Sequence, residues 1–248
     1  MPEADNNRTG DKIFIEGAYQ FNAYYTGKPI QRFWHYTKLQ EAQREIAAEK
    51  TDQILDAGCG SGLLTYFLAK DSQAEVLGVD ANPAAIDFCQ SRFQLPNLHY
   101  SQALIDNLPF TNNSFDKIVF LEVLEHLSRE QGRTVLKRFY DLLKPGGILV
   151  VSTPNRKSLW PLIEYLLDTF RLVPTLAGEQ HEYLYTGREL RRTAEAAGFS
   201  AISRKTVNFV SPWLAPISWK LALKVHALEL KSNCRIGSLL LYTFKKVG

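Results

Sequence analysis

The stretch ILDAGCGSG at residues 54–62 decides the fold. Its apolar start ends in Asp56, as a buried strand does at a sheet edge, and three alternate glycines then turn the chain toward a helix. Glycine suits positions where the main chain takes a positive φ or approaches a ligand more closely than a Cβ permits. Downstream, VLGVD at residues 76–80 repeats the form of a buried strand that ends in an acid.

These two strand ends predict a pocket for an adenosine-containing cofactor. Asp80 is positioned to accept both hydroxyls of a ribose held over the glycine turn. A dinucleotide site, as in a nicotinamide-dependent oxidoreductase, prefers G-x-G-x-x-G, but the place of the third glycine is taken by Leu63. The carboxylate of Asp56 would also repel a diphosphate, whereas it suits a cation such as the amino end of a methionine moiety.

Five ordered blocks extend the pattern beyond the glycine turn. They are LDAGCGSG (55–62), VLGVDAN (76–82), NLPFTNNSFDKIVFLEVLEHL (107–127), LLKPGGILVVSTPN (142–155) and ELRRTAEAAGF (189–199). In this order they resemble the class I S-adenosylmethionine-dependent methyltransferases, nearest to the ubiquinone-biosynthesis O-methyltransferase and methyltransferase type 11 group. The resemblance implies a Rossmann-like α/β fold with a seven-stranded, mostly parallel sheet in the order 3-2-1-4-5-7-6, helices on both faces and a helical lid.

Hydrophobic periodicity places the elements. We predict strands at 52–57, 75–80, 97–101, 116–121 and 146–152, and an antiparallel pair at one sheet edge from 200–210 and 236–246. Helices are predicted at 31–50, near 62–70, 83–93 and 129–143, and from about Gly187. This alternation calls for a parallel sheet with helices on both faces. We expect residues 1–50 to form an N-terminal segment and cap helix, and 51–248 the methyltransferase domain, with lid insertions at about 156–180 and 211–235.

Composition limits the kinds of partner and the cellular compartment that are expected. The net charge of +3 over 248 residues is too small for a nucleic-acid surface, and the chain has no run of lysine and arginine. Three cysteines at unrelated spacings fit a reducing cytoplasm. We find neither an apolar signal core nor an apolar run long enough to cross a bilayer, so a cytoplasmic protein is expected.

The family resemblance assigns the cofactor residues. Gly58, Gly60 and Gly62 would bring the backbone under the methionine and ribose, and Cys59 is the small residue between them. Asp56 would orient the amino end, and Glu122 would lie near the sulfonium. Asp80 would take the ribose hydroxyls, with Ala81 and Asn82 beside the adenine. Many family members have an acid for the adenine amino group where this chain has Leu104, so we expect apolar contact of adenine with Leu104 or Ile105, with Asp106 as an alternative partner.

Three residues are candidates for catalysis. His181 lies just before a predicted helix and, with an ordinary pKa near 6.5, could act as general base toward a hydroxyl; it could equally bond its own loop. Asn155 is expected as a polar wall of the acceptor pocket, and Glu122 lies at the rim where such sheets bind ligands. The arrangement E-x-x-E-H, ending in Glu125 and His126, resembles a segment associated with a divalent metal in relatives. We predict a metal-free site in which these two residues shape the loop.

Two amphipathic stretches, 158–172 and 213–231, lie outside the cofactor domain. Their apolar faces could pack onto the domain as a lid. Alternatively, they could form a pocket for a hydrophobic acceptor, which peripheral contact with a membrane surface would deliver. The N-terminal aromatic residues could cap this chain's own pocket or a neighbour's, which leaves the oligomeric state open. The sequence predicts methyl transfer to a small hydrophobic acceptor, at a hydroxyl; N- or C-methylation and a non-catalytic cofactor-binding module are the alternatives.

Overall fold

The protein is represented by a computed structural model that describes residues 16–158, 181–232 and 235–247. Most of the first lid insertion, with its amphipathic stretch, lies outside the described residues, as does Cys234. No helix in the described part of the chain is both long and apolar enough to cross a membrane.

A seven-stranded sheet organises the described residues. Its strands are β1 (Gln53–Ala57), β2 (Glu75–Asp80), β3 (Leu98–Gln102), β4 (Phe115–Leu121), β5 (Leu143–Pro154), β6 (Phe199–Val207) and β7 (Leu239–Lys246). They lie in the order β3-β2-β1-β4-β5-β7-β6. Neighbours from β3 to β5 are parallel, and β7 runs antiparallel to both β5 and β6. The predicted fold class and strand order are confirmed.

Helices cover both faces of this sheet. They are α1 (Tyr19–Tyr25), α2 (Pro29–Ile46), α3 (Leu63–Ser72), α4 (Pro83–Arg92), α5 (Arg129–Leu142), α6 (Gly187–Ala196), α7 (Ser211–Leu214) and α8 (Trp219–Lys231), with a 3-10 turn at Leu124–His126. Capping boxes begin α5 and α6, because Ser128 and Thr186 each bond the backbone three residues on.

Side chains of successive strand residues pack alternately into two hydrophobic cores on opposite faces of the sheet. Ile54 packs with α2 and α3 residues, whereas Leu55 packs with α5 and α6 residues. Val119 and Phe120 divide in the same way on β4. Both faces of the central strands are therefore buried, as expected for parallel strands flanked by helices. The side chains that can reach a ligand are those at the strand ends.

The structure corrects several predicted boundaries. Helix α2 ends at Ile46, four residues early, because Ala47 takes a left-handed conformation with φ 44°. Strand β5 is longer than predicted, and the two tail strands are shorter. The stretch 213–231 is not one helix. It divides between α7 and α8 at a turn containing Pro216, and Ser218 starts α8 by accepting a hydrogen bond from the Leu221 amide at 3.3 Å.

Candidate active site

The glycine turn after β1 takes the backbone form that the sequence predicts. Gly58, Gly60 and Gly62 have φ values of 77°, 52° and 69°. A Cβ on Gly58 would lie 2.3 Å from Val123 Cγ2, and one on Gly62 would lie 2.6 Å from Cys89 Sγ. Conformation and space thus both require glycine here.

Asp80 joins the turn to the next strand and helix. Its Oδ2 accepts a hydrogen bond from the Gly60 amide at 2.8 Å, and its Oδ1 accepts one from the Asn82 amide at 2.9 Å. A carboxylate has about four acceptor sites, so about two remain for the hydroxyls of a ribose. The geometry of this part-buried carboxylate therefore fits the predicted cofactor.

Asp56 lies beneath the turn, almost fully buried. Its Oδ2 accepts a hydrogen bond from Thr65 Oγ1 at 2.7 Å. Burial raises the pKa of Asp56 to about 6, and the nearby Asp80 carboxylate adds to the rise. A cationic ligand beside it would lower this pKa again, as expected of a residue that orients an amino group.

Helices α1 and α2 close over the glycine turn of their own chain. Gln20 Oε1 would be 2.5 Å from a Cβ on Gly60, and it accepts a 3.4 Å hydrogen bond from the Ser61 amide. The cavity beneath is lined by Gln20, His35, Lys38, Leu39, Asp56, Gly58, Cys59, Leu63, Leu64 and Leu121. The N-terminal segment thus caps this chain's own pocket.

Glu122 follows β4 in an unusual backbone state. Its φ of 55° is in the left-handed region, and its amide donates to Ser152 O at 3.0 Å. The Glu122 carboxylate forms an ion pair with Lys38, which is almost fully buried and lies 4.8 Å from the Trp34 ring centroid. Strain of this kind clusters at functional sites. The pair fixes the cap to the carboxyl end of the sheet.

Two histidines lie together beyond the carboxyl end of β4. The amides of Glu182 and Tyr183 donate to Glu125 O at 2.8 and 3.1 Å, which holds the incoming loop against the 3-10 turn. The rings of His126 and His181 consequently lie 5.5 Å apart. Burial first, and then His126, lower the pKa of His181, although Glu122 opposes the shift. His181 is therefore mainly neutral at pH 7 and can accept a proton.

Glu125 is buried rather than exposed at the rim. Its Oε2 accepts a hydrogen bond from Thr153 Oγ1 at 2.9 Å. Burial raises the pKa of Glu125 to about 8, with the Glu122 charge adding to the rise, so the carboxyl is protonated at neutral pH. One ligand atom each of Glu125, His126 and His181 lies within 4.8 Å of the others. This set could hold a divalent ion only if Glu125 lost its proton; the metal-free site stays a prediction.

Asn155, which the sequence predicts as a polar wall of the acceptor pocket, joins two parts of the chain. Its side-chain amide donates to Arg235 O at 3.1 Å and Gly237 O at 2.9 Å, and its Oδ1 accepts from the Lys157 amide at 3.1 Å. The side-chain amide thus ties the end of β5 to the segment before β7. The place of this buried residue in an acceptor pocket stays a prediction.

The residues predicted beside adenine lie at the ends of β2 and β3. Leu104 is 42% exposed, whereas Ile105 packs partly against the core. Asn82 Oδ1 caps α4 by accepting from the Ala84 amide at 3.0 Å. Ala81 O accepts from Gln102 Nε2 at 3.2 Å. An exposed apolar side chain at this rim is suited to adenine contact, and that role stays a prediction.

Fold and site together are those of an α/β protein whose strands end at a rim suited to an adenosine cofactor. Residues 54–147 match the family described as "Methyltransferase domain". A ubiquinone biosynthesis O-methyltransferase from Cereibacter sphaeroides is 31% identical over 72% of this chain and 70% of its own length. A demethylmenaquinone methyltransferase from Chlorobaculum tepidum is 23% identical over 87% and 89%.

Solved structures agree on the fold. A SAM-dependent methyltransferase from Archaeoglobus fulgidus superposes with a TM-score of 0.63 at 21% identity, covering 92% of this chain and 99% of that one. Magnesium protoporphyrin IX methyltransferase from Synechocystis, solved with bound S-adenosylhomocysteine, gives 0.63 at 18% identity over 93% and 94%. The chain belongs to the class I S-adenosylmethionine-dependent methyltransferases.

Proposed function

We propose that this methyltransferase methylates a hydroxyl group of a small hydrophobic acceptor, with His181 as the general base. The observation that carries the proposal is the position of a half-buried, mainly neutral histidine beside His126 and within electrostatic reach of Glu122. A phenol or alcohol must lose a proton as it is methylated, so a base at this rim matches a hydroxyl acceptor.

The names of two relatives support the acceptor class. One is a ubiquinone biosynthesis O-methyltransferase and the other a demethylmenaquinone methyltransferase, and both names refer to quinones. At 31% and 23% identity they favour a quinone-like phenol without fixing it. N- or C-methylation of another small metabolite is the alternative, and the position of the methyl group in the product separates the three.

The residues of this chain divide the work of the reaction. When bound, S-adenosylmethionine supplies a methyl group on a sulfonium, which is open to in-line attack. Asp56 and Asp80 would anchor the cofactor at its amino and ribose ends, and the α1–α2 cap would exclude water. His181 would take the acceptor proton, and Glu122 would stabilise positive charge nearby. Orientation of the two reactants supplies the main part of the catalysis.

The test is a pH-dependent assay with the purified full chain. S-adenosylmethionine is combined with catechols bearing alkyl tails of increasing length and with matched anilines, and products are located by mass spectrometry. We expect an O-methylated product. In the pH profile, kcat/KM should fall on the acid side, below pH 6.5, because His181 has a lowered pKa and loses its role as a base once it is protonated. His181→Gln should lower kcat about 100-fold or more and remove this fall, while S-adenosylhomocysteine affinity stays unchanged.

A matched control and a chelator sharpen the result. His99→Gln removes an exposed histidine on β3 and should leave the profile intact. Methylation of nitrogen or carbon alone, or a His181→Gln variant as active as wild type, would overturn the proposal. Loss of activity on chelation, with recovery on adding Mg²⁺, would assign Glu125, His126 and His181 to a metal instead.

A further inference from the structure

Helix α8 and the turn before it present apolar side chains to solvent. Ile217, in that turn, is 78% exposed, and Leu221 and Leu228 on the helix are 43% and 64% exposed, although the sequence alone allowed this face to pack inward. The spacing of seven residues places Leu221 and Leu228 on one side of the helix. Trp213, on α7, adds a large side chain that is 38% exposed.

A row of lysines runs beside these apolar side chains. Lys220, Lys224 and Lys231 are spaced by four and seven residues along the helix and are all exposed. The one acid in α8, Glu229, is turned away: it accepts hydrogen bonds from the Val210 and Ser211 amides at 2.6 and 2.8 Å. The exposed face of α8 is therefore apolar and basic, without a carboxylate to offset its charge.

The opposite face fixes this orientation. Ala222 and His226 are buried, and Phe33 of α2 lies 5.0 Å from the Trp219 ring and 6.1 Å from the His226 ring. The same helix α2 carries Lys38 into the cofactor cavity. The outward face of α8 is thus set by packing against the cap that closes the active site.

We propose that the α8 surface, formed by Ile217 in the turn before α8 and by Lys220, Leu221, Lys224, Leu228 and Lys231 on the helix, binds the surface of an anionic membrane. A helix with apolar side chains beside a basic row lies in the interface, where the apolar groups enter the acyl boundary and the lysines meet lipid phosphates. A two-fold contact of this face with itself would instead bring lysine rows together with no acid to pair them. The inference goes beyond the proposed function, because it holds for any acceptor.

Vesicle co-sedimentation of the full chain tests the surface. Phosphatidylcholine vesicles with and without about one third phosphatidylglycerol are compared at low and high salt. One variant replaces three apolar residues (Ile217→Ser, Leu221→Ser, Leu228→Ser) and another replaces three lysines (Lys220→Gln, Lys224→Gln, Lys231→Gln). Ile202→Ser, 57% exposed on β6, and Lys137→Gln on α5 are the matched controls.

We expect wild type and controls to bind anionic vesicles and to release them at high salt. The lysine variant should bind on the order of 100-fold more weakly, at about fivefold for each lysine removed. The apolar variant should lose binding as well, and both variants should keep wild-type affinity for S-adenosylhomocysteine, which shows that they fold.

Three results would overturn the proposal. The first is the absence of binding at low salt, and the second is equal binding by wild type and both variants. The third is a concentration-dependent dimer in sedimentation velocity that the apolar variant abolishes, which would assign the face to a second copy of this chain. Because the assay contains no methyl acceptor, its outcome is separate from that of the O-methylation test.

Discussion

At the scale of single residues, Asp80 shows how one side chain connects three elements. It ends β2, bonds the amide of Gly60 in the glycine turn, and bonds the amide of Asn82 at the start of α4. Charge-assisted hydrogen bonds of this kind hold the turn open before any ligand arrives. The residue that would bind the ribose also builds the site in which the ribose would lie.

We predict that Asp80→Asn weakens S-adenosylhomocysteine binding by about 10- to 100-fold, because hydrogen bonds to a charged group are worth about 1.5–3 kcal/mol. The amide cannot accept with both of its polar atoms, so one backbone N–H also loses its partner. Isothermal calorimetry gives the affinity, and Asp87→Asn, on the exposed side of α4, is the control. Unchanged affinity in the Asp80 variant would remove the ribose role.

The sequence reveals the glycine turn and Asp80 because their function imposes local rules on residue type and spacing. The pairing of Lys38 with Glu122 follows no such rule: the two residues lie 84 positions apart and meet only after the cap has folded. The contacts of Asn155 with Arg235 and Gly237, some 80 residues away, are equally hidden from the sequence pattern. Contacts between distant parts of the chain are set by packing, which the local pattern does not record.

At the scale of elements, the ion pair of Lys38 and Glu122 joins α2 to the end of β4. The Lys38 side chain is 5% exposed and that of Glu122 18%, so solvent screens the pair weakly. Removing one partner leaves the other partly buried and without its counter-charge. The pair is thus a coupling between the cap and the sheet.

We predict that Lys38→Met lowers the free energy of unfolding by about 1–3 kcal/mol and that Glu122→Gln in the same chain restores part of it. Urea unfolding of both single variants and the double variant gives the coupling. Lys137→Met, at an exposed pair on α5, should change stability by less than about 1 kcal/mol. Strictly additive effects would show that the pair does not hold the cap.

Local sequence signals predict where the helices and strands lie, but they do not predict which side of a helix faces solvent. Periodicity predicts an amphipathic stretch at 213–231, while Ala222 and His226 pack inward and Leu221 and Leu228 face solvent. A helix with apolar residues on more than one side can dock in more than one rotation. The contact of Phe33 with Trp219 selects the rotation, and that contact is again between distant segments.

At the scale of the whole molecule, the sheet topology brings the residues of the candidate site together. The carboxyl ends of β1, β2 and β4 meet at one edge of the sheet. The two N-terminal helices, α1 and α2, cover that edge. Gln20, His35 and Lys38 reach the same cavity as Asp56 and the glycine turn. Because α2 also packs against α8, the cofactor cavity, the cap and the outer helix form one continuous stack.

From this arrangement we predict that binding of the cofactor orders the cap formed by α1 and α2. At 100 times its dissociation constant, a ligand stabilises the native state by about 2.7 kcal/mol, which raises Tm by about 5–10 °C in a chain of this size. Hydrogen exchange should slow most in α1 and α2, because their cover over the glycine turn is lost whenever the cap opens. S-adenosylhomocysteine is the ligand to use, and Asp80→Asn, tested at the same ligand concentration, should show a smaller shift. If protection appeared only in the glycine turn and β2, the cap would be a fixed wall that does not respond to the cofactor.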